Sequence, residues 1–559
     1  MTTHRSTFLL LFAAAVLSLS AQEPMQTLPQ GKTWTTDIRS QFWFEDQGSK
    51  LMPYNWFLNL ECPAAPTYPC PAGGKFKDSL TNYGFIKPPA AGYPRLHELD
   101  PDGLPIGFAR HSDADGPFVG LTCAACHSTL IEFPGKGAYL IEGAPGKVDF
   151  DRFYNDVAAA LRETLNDPAR QKRFMTAVNE PDAGPKMAAR MLVFETRLKH
   201  NAQTVMAGMG RADAFGAIFN QILLAANAGN SLTAEQMGIV PLDAPSNFPF
   251  LWDISQQKFV QWNGSAPNLG DQGTGSYLRN VGEVLGVLGE LTLRPAKEKP
   301  ILPEPPKYPS SAVVANLKMI ESWVSDLHSP QWPGPLADKA TIDAGERIYR
   351  QECVGCHAII DRETRKFPIR THMTSVDEVQ TDRALVDNFR LRQGSAGALT
   401  GQFTFTDPKL LLKRFEERSP VKDLTVNAAL GAYMQQAEPG ILRTVEDDIK
   451  ELAEGAPDLS SYKARPLDGI WATAPFLHNG SVPNITELLK RPHERVAQFC
   501  VGSDTYDTKN LGFLSTLPCN PRQFLLDTGL HGNSNSGHAY GTELSDTDKA
   551  NLIEYLKTL

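Results

Sequence analysis

Apolar and polar positions alternate in two different ways along this 559-residue chain. From Asp149 to Leu165 and from Pro185 to Met206, apolar residues recur at three- and four-residue spacing, which predicts amphipathic helices. The same spacing returns from Ala315 to Leu327, from Asp343 up to Cys353, and in the C-terminal LSDTDKANLIEYLKTL. In that last segment Ser545 and Asp548 stand at capping-box spacing, which marks the start of a terminal helix. Other stretches lack any such period. Thr33 to Tyr93 and Asn247 to Asn280 are rich in aromatics, Pro and Gly, and predict irregular chain that packs on something else. A Pro-rich run from Lys297 to Ser311 predicts extended linker, because closely spaced prolines hold the backbone open. The expected fold class is mainly α with long irregular loops.

The first residues follow a different pattern. His4 and Arg5 give a basic start, Phe8 to Leu19 is apolar, and Ser18, Ser20 and Ala21 offer a cleavage site. This predicts a removed signal peptide over residues 1–21, since the apolar run is short for a membrane span. The mature protein is then expected to be periplasmic or secreted, with no membrane span. No Cys sits near the cut, which argues against a lipoprotein. Composition changes this little: 42% hydrophobic and 21% charged residues are those of a globular protein. A formal charge of -9 argues against nucleic acid or anionic lipid as partner.

The cysteines carry more information. Cys123, Cys126, Cys353 and Cys356 fall in two Cys-x-x-Cys-His pentads, CAACH and CVGCH. Cys62, Cys70, Cys500 and Cys519 remain, and an exported chain favours disulfides. Nearest-neighbour pairing is expected, though spacing alone leaves the connectivity open. A Cys-x-x-Cys pair can be a redox disulfide, but that leaves the following His unexplained, twice. Zinc would need four ligands per metal, and the pentads are far apart in the chain. Covalent haem c accounts for every residue: two thiols form thioethers with the porphyrin, and the adjoining His binds iron. The predicted cofactors are therefore two haem c groups, on Cys123, Cys126 and His127 and on Cys353, Cys356 and His357. Two haem domains are expected, over residues 22–304 and 305–559.

Distal iron ligands are less clear. His538, in the Gly/Ser/Asn loop NSNSGHAYGT before the final helix, is the candidate sixth ligand of the second haem, with His478 in APFLHNGS as competitor. No comparable His or Met marks the first haem. Met187, Met191, Met206 and Met209 lie in stretches that read as core. An iron without a strong sixth ligand can bind peroxide or dioxygen, whereas a saturated iron mainly transfers electrons.

GLTCAACHS with GAPGKVDFDRF, FVQWNG with YLRNVGEVLG, IYRQECVGCH, and ARPLDGIWATAPFLHNGSVPNITELL together resemble the bacterial dihaem cytochrome c peroxidase superfamily. The closest likeness is to its rubber oxygenase (RoxA-like) branch. The resemblance implies two cytochrome c-like domains, a reactive haem at His127 and an electron relay at His357. It places His538 as the relay's distal ligand and Glu283 at the position of the acid that assists O–O cleavage. In the rubber oxygenases an apolar cap including a Phe covers the reactive haem; Phe248, Phe250, Phe259 and Trp262 are the candidates here. The peroxidases also carry a calcium ion, yet no compact carboxylate cluster places one in this sequence. A small redox protein or small molecule would exchange electrons with the chain. The readings that follow are a haem enzyme acting on peroxide or dioxygen, a non-enzymatic dihaem electron carrier, and a protein with vestigial haems.

Overall fold

The computed structural model describes residues 25–100, 102–268, 274–295, 305–363, 369, 371–405, 413–436 and 458–559. The expected signal peptide, and residues 297–304 of the Pro-rich run, lie outside them. Among the described residues helix accounts for about 38% and strand for about 16%, the latter spread over many small sheets. The expectation of a mainly α chain with two cytochrome c-like haem domains is therefore corrected to a mixed fold. The strands run two to six residues, too short for a period-two pattern to stand out. The core crosses the expected linker as well: Trp34, Phe42, Ile131, Trp252, Ile320, Tyr349, Trp471 and Leu556 belong to one buried cluster.

The helices follow the apolar spacing closely. Phe150–Asn166 is capped by Asp149, whose carboxylate accepts from Arg152 N, and Phe153, Val157, Ala160 and Leu161 form its buried face. Ala183–His200 ends before Met206. Val314–Val324, Lys339–Glu352 and Asp546–Leu556 lie where the pattern places them. Ser545 caps the last helix by accepting from Asp548 N, while the Asp548 carboxylate accepts from the Ser545 hydroxyl. The aromatic N-terminal stretch contains the helices Thr36–Phe44 and Tyr54–Asn59 and the 3-10 helix Phe76–Tyr83; in the first, Phe42 and Trp43 are fully buried. It packs as expected, but as part of the core.

Two three-stranded sheets bracket the first pentad. In one, Gly116–Leu121 lies between Met52–Pro53 and Phe108–Asp113, all antiparallel. In the other, Gly137–Glu142 pairs antiparallel with Ser128–Phe133 and parallel with Gln26–Thr27. The chain leaves the first sheet at Leu121, makes one helical turn over Cys123–Cys126, and enters the second at Ser128. The second pentad instead ends the helix Lys339–Glu352, which packs on the C-terminal helix. Their axes come close at Gly345, where any Cβ would meet the Asn551 carbonyl.

Candidate haem-binding sites

Each pentad closes in the same tight turn. His127 N donates to Cys123 O at 2.9 Å, and His357 N donates to Cys353 O at 2.8 Å. At the first pentad Thr122 begins the turn, its hydroxyl accepting from Ala124 N and donating to Trp43 O. Ala125 lies so close to Gly107 that a Cβ on residue 107 would overlap it; φ at Gly107 is +98° as well. The four pentad cysteines are free thiols, while Cys62–Cys70 and Cys500–Cys519 form disulfides in the expected nearest-neighbour pairs. Burial pushes the Cys123 thiol up to about 11 and those of Cys126 and Cys353 to about 12. Thiols held neutral in this way are poor redox nucleophiles, which counts against a dithiol-exchange role.

Both pentad histidines are held by a main-chain carbonyl. His127 Nδ1 donates to Pro249 O at 2.8 Å, and His357 Nδ1 donates to Arg465 O at 2.6 Å. Such a bond fixes the tautomer and leaves the Nε2 lone pair for a metal. Burial pushes His127 down to about 4 and lowers His357 too, so both rings are neutral and ligand-competent at neutral pH.

The two surroundings differ sharply. A cavity of about 370 Å³ borders Cys123, Cys126 and His127, with a mainly apolar wall that includes Phe248, Trp262 and Val284. That size and lining suit a flat hydrophobic cofactor held by thiols at one edge. Glu283, on the helix Thr274–Gly286, borders the same cavity and accepts a 2.8 Å hydrogen bond from Gln261 Nε2. Burial raises its carboxyl above the ordinary glutamate value. Of the expected aromatic caps, Phe248 and Trp262 border the cavity. Phe250 stacks on Trp252 at 4.9 Å, and Phe259 pairs in a short strand with Pro267. Met206, expected in a helix, lies beyond one and reaches the cavity wall.

At the second pentad the His357 and His538 rings face each other with centroids 6.2 Å apart. Two imidazoles binding one metal through nitrogens at about 2 Å have ring centres roughly 6 Å apart, so this pair matches a bis-histidine site. The loop that presents His538 is tightly fixed. Gly537 takes φ +69° with no room for a Cβ beside Gln380, and His538 N donates to Val379 O at 2.8 Å. Arg495 donates to the carbonyls of Asn535, Gly537 and His538. His478 is placed elsewhere, stacked on Tyr462 at 4.1 Å with its Nε2 bonded to the tyrosine hydroxyl. Among the described residues, no group of three or more His, Cys, Asp or Glu side chains could hold a calcium or other metal ion alone.

Pro249, Gln261, Arg465 and Arg495 were not singled out by the sequence. Their signal is long-range: the His127–Pro249 and His357–Arg465 bonds span 122 and 108 residues.

Residues 461–500 match the family model described as RoxA-like, cytochrome c-like. That segment contains Arg465 and the ARPLDGIWATAPFLHNGSVP stretch. Over 94% of its length the chain is 30% identical to the uncharacterized protein y4iJ of Sinorhizobium fredii (strain NBRC 101917 / NGR234), covering 92% of that protein. The chain belongs to the y4iJ family. A second protein of the same strain, uncharacterized protein y4iM, is 23% identical over 57% of this chain and 66% of its own length. Within the y4iJ family, the RoxA-like match connects this chain to haem c and to a haem-related oxidoreductase role.

Proposed function

We propose that this chain is an exported dihaem c-type oxidoreductase that reacts with peroxide or dioxygen at the His127 site and relays electrons through the His357 site. The observation that carries this reading is the asymmetry between the sites: an open cavity with a carboxyl group on its wall at His127, and two facing imidazoles at His357. Bound haem c would supply an iron able to take peroxide or dioxygen at the first site and to store electrons at the second. Cys123 with Cys126, and Cys353 with Cys356, would each hold a porphyrin edge, their S–H groups adding across its vinyl C=C bonds. The Pro249 and Arg465 carbonyls orient the two histidines. Phe248 and Trp262 keep bulk water from the first site. Glu283, whose carboxyl burial holds above the ordinary glutamate value and Gln261 orients, is placed to donate a proton to a leaving oxygen. A small redox protein or a small molecule supplies the electrons. Met206 is the residue that favours the second reading, a non-enzymatic carrier, because it borders the cavity and its sulfur could saturate the first site.

Haem content and spin state test the reading together. The exported protein is expected to carry two covalent haems per chain and its Cys353→Ala/Cys356→Ala variant one, by mass and pyridine haemochrome. Low-temperature EPR of the oxidised or half-reduced protein is expected to show a high-spin signal from the His127 site. Haem-free protein would defeat the whole proposal, and low-spin signals throughout would leave only the carrier.

Glu283→Gln is expected to slow peroxide turnover by about 100-fold, within the range of general-acid contributions. The sign of its pH effect follows from the raised carboxyl pKa. The acid is present below that value and is lost as pH rises through it, so the wild-type rate falls on the alkaline side. The variant should lose that fall, and an unchanged pH–rate profile would remove Glu283 from the chemistry.

A further inference from the structure

Between the two pentads lie three buried cations with too few anions. Arg465 and Lys463 are each 4% exposed. Lys463 Nζ donates to the Gln257 side-chain oxygen at 2.7 Å and to Phe259 O at 2.9 Å, both neutral acceptors. Arg465 Nη1 donates to Phe250 O at 3.1 Å, but its Nε and Nη2 are buried and unpartnered. The guanidinium lies over the rings of Phe250 and Trp262, at 4.2 and 5.2 Å. Arg279 pairs with Glu321 at 2.5 Å and with Asn280, yet its Nη1 is likewise buried without a partner. Glu283 is already bonded to Gln261.

Buried charges are retained where something neutralises them, and buried N–H donors where something accepts. Three donor atoms on two arginines, with a lysine beside them, call for a ligand bearing more than one carboxylate. Arg465 is also placed to serve both sites. Its carbonyl holds His357, while its side chain reaches Phe250, adjacent in sequence to the Pro249 that holds His127, and Trp262 on the first cavity wall.

We propose that Arg465, Lys463 and Arg279 form a buried cationic seat for haem propionates at the junction of the two pentads. This inference rests on the haem reading above. Arginine suits the task because its planar fork of donors matches a carboxylate. Arg465 is then a positioning residue: it fixes the cofactor's acidic edge and, through its carbonyl, the proximal imidazole of the neighbouring site. Its removal leaves a haem carboxylate less compensated, which favours the ferric state and lowers the midpoint potential.

The test uses holoprotein purified as exported, with Arg465→Gln, Arg465→Lys and Lys463→Met. The propionate bending band in the resonance Raman spectrum reports hydrogen bonding to the carboxylates directly, and spectroelectrochemical titration reports both potentials. The band is expected to shift, and one potential to fall, in Arg465→Gln and in Lys463→Met. Arg465→Lys should restore much of both. Should Arg465→Gln fail to fold, Lys463→Met carries the same test. A haem-loaded variant with unchanged band and potentials would overturn the seat alone, whereas chains without covalent haem would overturn the haem reading itself.

Discussion

A His127→Gly chain is expected to keep both covalent haems and to lose peroxide or dioxygen turnover by more than about 100-fold. Thioether formation needs only Cys123 and Cys126, which the substitution leaves in their turn between the two sheets. What disappears is the imidazole that Pro249 O holds at 2.8 Å on the cavity wall. Loss of an outer-shell partner typically costs 10–100-fold in affinity or activity, and loss of the ligand itself exceeds that. The cavity left by a glycine admits free imidazole, so added imidazole should restore part of the rate. Haem counting and stopped-flow turnover check the two halves separately. If turnover survives intact, His127 does not serve the reactive centre.

His538→Met is expected to raise the potential of the second site by roughly 0.1 V or more, within the ~0.8 V that axial ligands span. The unbranched methionine can occupy the space of the imidazole, and the backbone that presents it is held independently by Val379 O and Arg495. A thioether donates less to iron than an imidazole and so favours the ferrous state. The relay would then accept electrons more readily and pass them on more slowly. Spectroelectrochemistry of the two haems in one titration separates the shifted site from the unshifted one. If neither potential moves, His538 is not the sixth ligand.

The parts legible in the sequence were those written locally. A pentad is a five-residue message, and both folded as turns closed by the same His N to Cys O bond. Helices such as Phe150–Asn166 and Asp546–Leu556 carried their apolar faces in plain view. His538 was singled out on a local feature, a Gly-rich loop before a terminal helix, and its ring lies 6.2 Å from that of His357. Ladders such as Ser128–Phe133 with Gly137–Glu142 were not, since six residues give too short an alternation. The expectation of a mainly α chain failed for that reason. Arg465 was invisible for another. Nothing near it in the chain reveals that its carbonyl meets a histidine 108 residues away while its guanidinium lies over Phe250 and Trp262.

One buried cluster that reaches from Trp34 to Leu559 bears on how the molecule matures. Ala124 and Ala125, inside the first attachment turn, are 1% and 4% exposed, and the last helix closes against Lys339–Glu352 at Gly345. During maturation Cys62–Cys70 and Cys500–Cys519 must be oxidised while four other thiols are kept reduced. On the haem reading proposed above, packing of the C-terminal helix against the helix that precedes the second pentad would set a deadline for attachment there.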